Sequence, residues 1–289
     1  MGPFIIGSQM ATSLAKAGPA HILIASRTLS RVQPVLDEII RIDSTIKTTA
    51  IQVELTDHAS VRRAANEILG ATPTIDVLIN SAGIMAVKDY TLDKQGIELQ
   101  LSANHMGHFL LTNLLVPALE ATPGRVVNLT SSGYLITPFR FDDYNFSDGA
   151  VYDLWTGYGQ AKLANILFAW GLTKRLRSRG IVAAAAHPGY NGDTRLGSHL
   201  TWDDYAGIFP ASKRNMGKEF VFEEPRFKTY TQIAATPLIA ALDPEVEIKA
   251  PAFLQNSAIT EPAEHACDEK SADRLWELSE RLVGQDFEY

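Results

Sequence analysis

An α/β fold built on a doubly wound parallel sheet follows from three observations on this 289-residue chain. Short apolar runs near 21–25, 48–53, 76–80, 125–129, 181–186 and 250–254 alternate with helical patterns near 8–17, 29–42, 58–69, 93–120, 157–178, 228–242 and 268–283. That alternation makes parallel strands joined by crossover helices. The run Val126-Val-Asn-Leu129 reads as a strand buried on both faces, as in a sheet covered by helices on both sides. Two of the runs end in small or hydroxyl residues at their carboxyl ends, where ligands sit in open α/β sheets.

Taken in order, Ser8-Gln-Met-Ala-Thr-Ser-Leu-Ala-Lys-Ala-Gly18 is amphipathic and opens the chain as a helix. His21-Ile-Leu-Ile-Ala-Ser-Arg27 follows as a strand, and Ser30 to Ile40 carries apolar residues at helical spacing, a stripe that marks packing against a core. Ile51-Gln-Val-Glu54 ends the next strand, and Asp76-Val-Leu-Ile-Asn-Ser-Ala-Gly83 runs from an apolar strand into small residues that let a ligand approach the backbone. Phe109 to Leu119 is apolar but too short to span a bilayer and reads as a core helix. Leu163, Ile166, Leu167 and Trp170 share one face of the helix after it, a buried face. No repeat or linker divides residues 1–289, so the chain reads as one domain with one substantial core.

The net charge of −7 and the lack of any basic run disfavour nucleic acid and anionic membrane surfaces as partners. The single cysteine, Cys267, excludes an intramolecular disulfide and fits a reducing compartment; as a side chain it reads as helix-end packing. With neither a signal peptide nor a membrane span in the sequence, the expected location is cytoplasmic and the expected partner a small molecule.

Chemistry concentrates at Tyr158-Gly-Gln-Ala-Lys162, preceded by Asn128-Leu-Thr-Ser-Ser132. Four residues apart on a helix, the phenol and the ammonium share a face. A tyrosine titrates near 10 and is a poor proton carrier at neutral pH unless a cation favours its phenolate. Tyr-x-x-x-Lys alone is a common surface pattern; the strand ends at Ser131 and at Asn80–Gly83 are what single it out.

With those residues in place the chain resembles the short-chain dehydrogenase/reductase family over nearly its whole length. The family's Asn-Asn-Ala-Gly motif stands here as Asn80-Ser81-Ala82-Gly83, its catalytic Asn as Asn104 in Asn104-His-Met-Gly-His-Phe109, its Ser as Ser131, and its Tyr and Lys as Tyr158 and Lys162. The wording Ala103-Asn-His-Met-Gly-His-Phe-Leu-Leu-Thr-Asn113, with Arg274-Leu-Trp-Glu-Leu-Ser279, is similar to the retinol-dehydrogenase and WW-domain-oxidoreductase branch. The resemblance implies a Rossmann-like fold and hydride transfer between a nicotinamide and a carbonyl carbon, Tyr158 giving or taking the proton on oxygen. Ser131 would hydrogen-bond that oxygen; Lys162 would lower the phenol's pKa and bind the nicotinamide ribose; Asn104 would hold a water linking Lys162 to solvent.

It also implies a homodimer seam on the face of Leu163, Ile166, Leu167 and Trp170, and where a dinucleotide lies. Ser26-Arg27, at the end of the strand that reads the adenosine ribose, offers a hydroxyl and a guanidinium where an acidic residue would repel a 2′-phosphate, so NADP is expected over NAD. Glu54 stands where the family has Asp beside the adenine. Asn80, Ala82 and Gly83 would line the cofactor, Pro188 and Gly189 in Ala183-Ala-Ala-Ala-His-Pro-Gly189 would form the turn over the nicotinamide, and Thr194 would answer to the carboxamide-binding Thr. His187 before that turn reads as structural. The departure lies at the amino terminus. The chain shows no first strand, and Met1-Gly-Pro-Phe-Ile-Ile-Gly7 offers Gly2 and Gly7 for the first and last glycines of the phosphate loop, with Ile5 or Ile6 in place of the middle one. Three explanations stand side by side: a start placed too late, a rearranged segment that fills the gap, and a lineage that has lost dinucleotide binding. Two buried strand edges would otherwise keep unpaired amides, at about 1 to 3 kcal/mol each.

The segment 196–227 scatters Trp202, Tyr205, Phe209, Phe220 and Phe222 among polar residues without periodicity, either a lid over an apolar ligand or an irregular surface insertion. Tyr134 to Trp155 is a second aromatic stretch that could join it. The sequence thus carries two functional readings: an NADP(H)-dependent oxidoreductase interconverting a ketone or aldehyde and an alcohol on a small apolar molecule, in secondary metabolism, or a cofactor-independent isomerase, dehydratase or cyclase using Tyr158 as acid and base.

Overall fold

The strands assemble into two sheets, not one. In the computed structural model, which describes residues 6–289, β1 (His21–Ser26) and β2 (Lys47–Gln52) form a two-stranded parallel pair. β3 (Val77–Asn80), β4 (Arg125–Leu129), β5 (Val182–His187), β6 (Ala252–Gln255) and β7 (Ala258–Thr260) form a second sheet in that order. All its pairings are parallel except β6 with β7. Asn80 lies in register with Asn128, so the two strand ends singled out in the sequence lie side by side. Every residue of β4 and β5 is buried, as strands covered on both faces require.

Among the described residues no strand joins β1 to β3, which leaves a gap in the strand pairing between the two sheets. The flanking edges are not the buried edges expected from the sequence: most of β1 and of β3 is only half-buried, so water can reach their amides and lowers the cost of leaving them unpaired. Helices hold the two sheets together. Helix Ile6–Ala15 places Met10 among Val127, Leu129 and Ala184 of the larger sheet, while its Ala11 and Ala15 pack with Ile22, Leu36 and Ile39 of the smaller unit. On the other face the core that contains Val61, Ala65 and Ile68 of helix His58–Ala71 takes in Ile51 of β2 together with Val126 of β4. Gly7 lies inside the first helix, and Gly2 and Ile5 fall outside the described residues.

Two further differences from the sequence reading have local causes. β7 goes unannounced because its hairpin turns on Asn256-Ser257, both in the left-handed region at φ 52° and 62°. That is the two-residue turn usually marked by Asn-Gly. The segment 196–227 is not wholly irregular: Thr201 and Asp204 form a capping box that starts helix Trp202–Ala206, and helix Ile208–Met216 follows. The seam reserved for a second copy is filled from within, since Leu163, Ile166 and Leu167 are fully buried in the single chain, in one core with Ala272, Leu275 and Trp276 of helix Glu269–Val283.

Candidate active site

Helix Leu154–Leu176 starts where Asp153 accepts a hydrogen bond from Thr156 N at 2.8 Å, and its first turns carry Tyr158 and Lys162 against the carboxyl end of β4. Thr130 Oγ1 donates to the Lys162 carbonyl at 2.7 Å, and Asn165 Nδ2 donates to the Leu129 carbonyl at 2.8 Å. The helix is therefore pinned to the strand end at two points. Ser131 caps the short turn Ser132–Leu135, its Oγ accepting from Gly133 N at 3.2 Å, and the same side chain hydrogen-bonds Tyr158. Gly133 must lack a side chain, because a Cβ there would lie 2.8 Å from Tyr158 Cε1. The phenol is 4 % exposed.

Asn104 reaches the same place from the opposite side. It lies in a π-helical turn, Ser102–Met106, whose widened backbone is of a kind often found at functional sites. Its amide clamps the loop after β3, accepting from Ile84 N at 2.8 Å and donating to Ile84 O at 3.0 Å. Its carbonyl pairs with His108 Nδ1 at 3.0 Å, so that nitrogen carries the proton. Gly83 lies between the groups: a Cβ there would stand 2.5 Å from Asn104 Oδ1 and 3.5 Å from Lys162 Nζ. Behind them Asn80 Nδ2 donates to Asn128 Oδ1 at 2.9 Å and to Thr112 Oγ1 at 3.0 Å, tying the two strand ends together. Asn104, Ser131, Tyr158 and Lys162 thus converge at one edge of the sheet.

The electrostatics of the tyrosine differ from the sequence expectation. Burial pushes the Tyr158 phenol up to about 12, against the opposing hydrogen bond with Ser131. Burial also pushes the Lys162 ammonium down to about 8. The expected stabilisation of a phenolate by Lys162 is outweighed because the ammonium bonds the Leu129 carbonyl at 3.3 Å and stands 5.8 Å from the centre of the phenol ring. At neutral pH the phenol is protonated and Lys162 is still an ammonium, so both resident species are acids.

The remaining candidate positions form a rim. Ala82 and Gly83 are exposed at the end of β3, and Gly7 comes close to that loop, a Cβ on it lying 3.5 Å from Ser81 Oγ. Ser26 is half-buried at the end of β1, and Arg27 points to solvent with its guanidinium 3.8 Å from Glu54. Glu54 also accepts from the Thr56 hydroxyl at 2.9 Å. Pro188 is buried, Gly189 turns the chain at φ 87°, and the Thr194 hydroxyl donates to the Asn191 carbonyl at 3.2 Å.

Trp155 and Phe220, named in the two aromatic stretches of the sequence, meet over the site together with residues the sequence reading did not single out, Met85, Ile208, Ala211 and Glu223. Trp155 lies one turn before Tyr158, its indole centre 6.2 Å from the phenol's, and its Nε1 donates to Asp204 O at 2.6 Å, fastening the 196–227 segment over the site. Ile208, Ala211 and Phe220 of that segment pack with Met85, Ile136 and Tyr158. Its far end is held by Glu223, which meets Lys228 Nζ at 3.1 Å, Gln255 Nε2 at 2.7 Å and His187 Nε2 at 3.1 Å, the last off the line of a hydrogen bond. Burial works against the charged carboxylate, yet His187 and Lys228 hold it down to about 2. Only the helical spacing of Trp155 and Tyr158 could have signalled any of this.

Glu98 is a second buried carboxyl, capping the helix that leads into Asn104 by accepting from Gln100 N and Leu101 N at 2.9 and 2.8 Å. Burial pushes it up to about 7 despite those bonds. Its folded pKa lies above its unfolded value, so its contribution to stability is complete below about pH 4.5 and is lost as pH rises through 7. Glu98→Gln should flatten that decline, a result read from melting temperature against pH; a profile parallel to the native one would contradict the assignment.

A doubly wound sheet with Ser131, Tyr158, Lys162 and Asn104 gathered at its carboxyl edge defines a class, the α/β oxidoreductases. The profile described as short chain dehydrogenase matches residues 5–203, and the chain belongs to that family, within its retinol dehydrogenase branch. It is 34% identical to human retinol dehydrogenase 13, over 96% of this chain and 81% of that protein. Its fold is similar to that of an uncharacterised Mycobacterium paratuberculosis protein, with a TM-score of 0.72, 29% identity, and 98% of this chain and 91% of that one covered. A Burkholderia cenocepacia short chain dehydrogenase in complex with NADP shares the fold at a TM-score of 0.64 and 24% identity, over 86% of this chain and 90% of that one.

Proposed function

We propose that the protein is an NADP(H)-dependent oxidoreductase that interconverts a ketone or aldehyde and an alcohol on a small, largely apolar molecule, in the cytoplasm and in secondary metabolism. The observation that carries the reading is the buried, protonated Tyr158 hydrogen-bonded to Ser131 beside Lys162. Such an acid can donate to the oxygen of a carbonyl as it becomes an alcohol, with Ser131 holding the same oxygen. Lys162 is placed to return the proton to the phenolate. Asn104 fixes Ile84 and with it the loop beside Lys162.

A nicotinamide dinucleotide, when bound, supplies the hydride. The rim fits such a group: Gly83 and Gly189 leave room where a Cβ would strike Asn104 or Lys228, and exposed Ala82 offers backbone to a ligand. Arg27 and Ser26 are the contacts for a 2′-phosphate, with Glu54, Asn80, Pro188 and Thr194 lining the rest. The 196–227 segment serves as a lid, because the substrate cannot reach a phenol that is 4 % exposed while Phe220 and Ile208 pack over it.

Titration with NADPH, followed by nicotinamide fluorescence, tests this reading. Saturable micromolar binding is expected, weakened roughly 10- to 100-fold in Arg27→Glu by loss of a charged hydrogen bond and partly recovered with NADH. Binding of NADPH unaffected by that change would contradict the cofactor assignment. The redox-neutral reading, with Tyr158 as acid and base alone, is favoured by one observation only, the gap where a first strand would lie.

A further inference from the structure

We infer that the hydroxyl pair of Tyr190 and Tyr205, on the aromatic wall shared with Tyr158, is a second oxygen-binding point, and that the substrate is an apolar ketone carrying a second oxygen remote from the reacting carbonyl. The inference rests on the function proposed above and refines its substrate class. Tyr190 stands in the loop after β5 and Tyr205 in the lid helix Trp202–Ala206, and their hydroxyls meet at 3.3 Å. Tyr158 and Tyr205 both lean on the Trp155 indole, with ring centres 6.2 and 5.6 Å from it. The pair therefore belongs to the same aromatic wall as the proton donor. The lining between them is apolar, with Met85, Ile136, Ile208 and Phe220 all buried beside Tyr158.

Two phenols that meet each other have two protons to donate. The pair uses one of these protons between its own hydroxyls, and among the described residues no acceptor takes the other. Both side chains are half-buried, not sealed in the core. Burial, the Tyr190 hydroxyl and the nearby Tyr158 all push the Tyr205 phenol up, which keeps it protonated and a donor at any physiological pH. The position of the hydroxyl is constrained: a Cβ on Gly197 would lie 2.2 Å from it and 2.9 Å from the Met85 methyl, so any larger residue at 197 would push the donor aside. A site that spends a buried hydroxyl on a substrate oxygen discriminates against the analogue lacking that oxygen, since the donor is then left unpaired.

The test compares 1-tetralone with its 5-, 6- and 7-hydroxy derivatives on the full chain with NADPH, reading binding by quenching of tryptophan fluorescence and turnover by NADPH consumption. At least one hydroxylated probe should bind about tenfold more tightly than 1-tetralone, the magnitude of one hydrogen bond. The double variant Tyr190→Phe with Tyr205→Phe should erase that preference by weakening the hydroxylated probes, while binding 1-tetralone at least as tightly as the native protein does. No preference in the native protein, no binding of any probe, or a preference that survives the double variant would overturn the inference. Tyr158→Phe separates this from failure of the underlying reading: full turnover in that variant sinks the oxidoreductase assignment, whereas the binding preference does not depend on it.

Discussion

Tyr158→Phe leaves a folded protein that still binds NADPH and turns over roughly 10²- to 10⁴-fold more slowly, the range supplied by a positioned general acid or base. The change removes one oxygen and nothing else. The ring keeps its contacts with Gly133 and Trp155 and its place in the apolar cluster with Ile136 and Phe220. Only the hydrogen bond to Ser131 is lost, and Ser131 Oγ retains the Gly133 amide as a partner. Thermal stability should therefore move little while turnover collapses, and steady-state rates measured beside a melting curve check both. Native-like turnover would mean that another group moves the proton.

The largest expected loss of stability follows Phe109→Ala. Phe109 is fully buried, with ring centres of Phe168, Trp276 and Phe287 within 5.0 to 5.8 Å and His105 at 5.9 Å. Removing the ring costs about 3–5 kcal/mol, since neighbours held by three separate helices and the carboxyl-terminal tail cannot collapse into the space. A melting temperature lower by roughly 10 °C is expected. Because Phe109 follows directly on the turn that carries Asn104, the variant's turnover should fall as well. A loss below about 1 kcal/mol by denaturant titration would show that the aromatic cluster repacks.

How much of this could be read from the chain depended on distance along it. Tyr158 and Lys162 share a helix and Ser131 follows a strand end, positions that local periodicity can place, whereas the register of Asn80 with Asn128 is set by strand pairing that the sequence reading did not specify. The Asn256-Ser257 turn hid β7, since neither residue is the glycine that usually marks two left-handed positions in succession. The lid contacts stayed invisible for another reason: Trp155 meets Asp204 and Glu223 meets Gln255 across dozens of residues, and no period links them. A neighbouring cation such as Lys162 can be read from the sequence, while the full burial that pushes the Tyr158 phenol up cannot. The means of spanning the gap between β1 and β3 was equally out of reach, as it depends on Met10 and Ala11 of one helix facing different sheets.

The most direct measurement is transfer of label from NADPH deuterated at both C4 positions to 1-tetralone or a hydroxytetralone, followed by mass spectrometry of the product. The account predicts an alcohol with one deuterium on the carbinol carbon, formed in step with NADPH consumption and absent with Tyr158→Phe. Conversion of the ketone with neither deuterium uptake nor NADPH consumption would contradict it, and would assign Tyr158 to redox-neutral proton transfer.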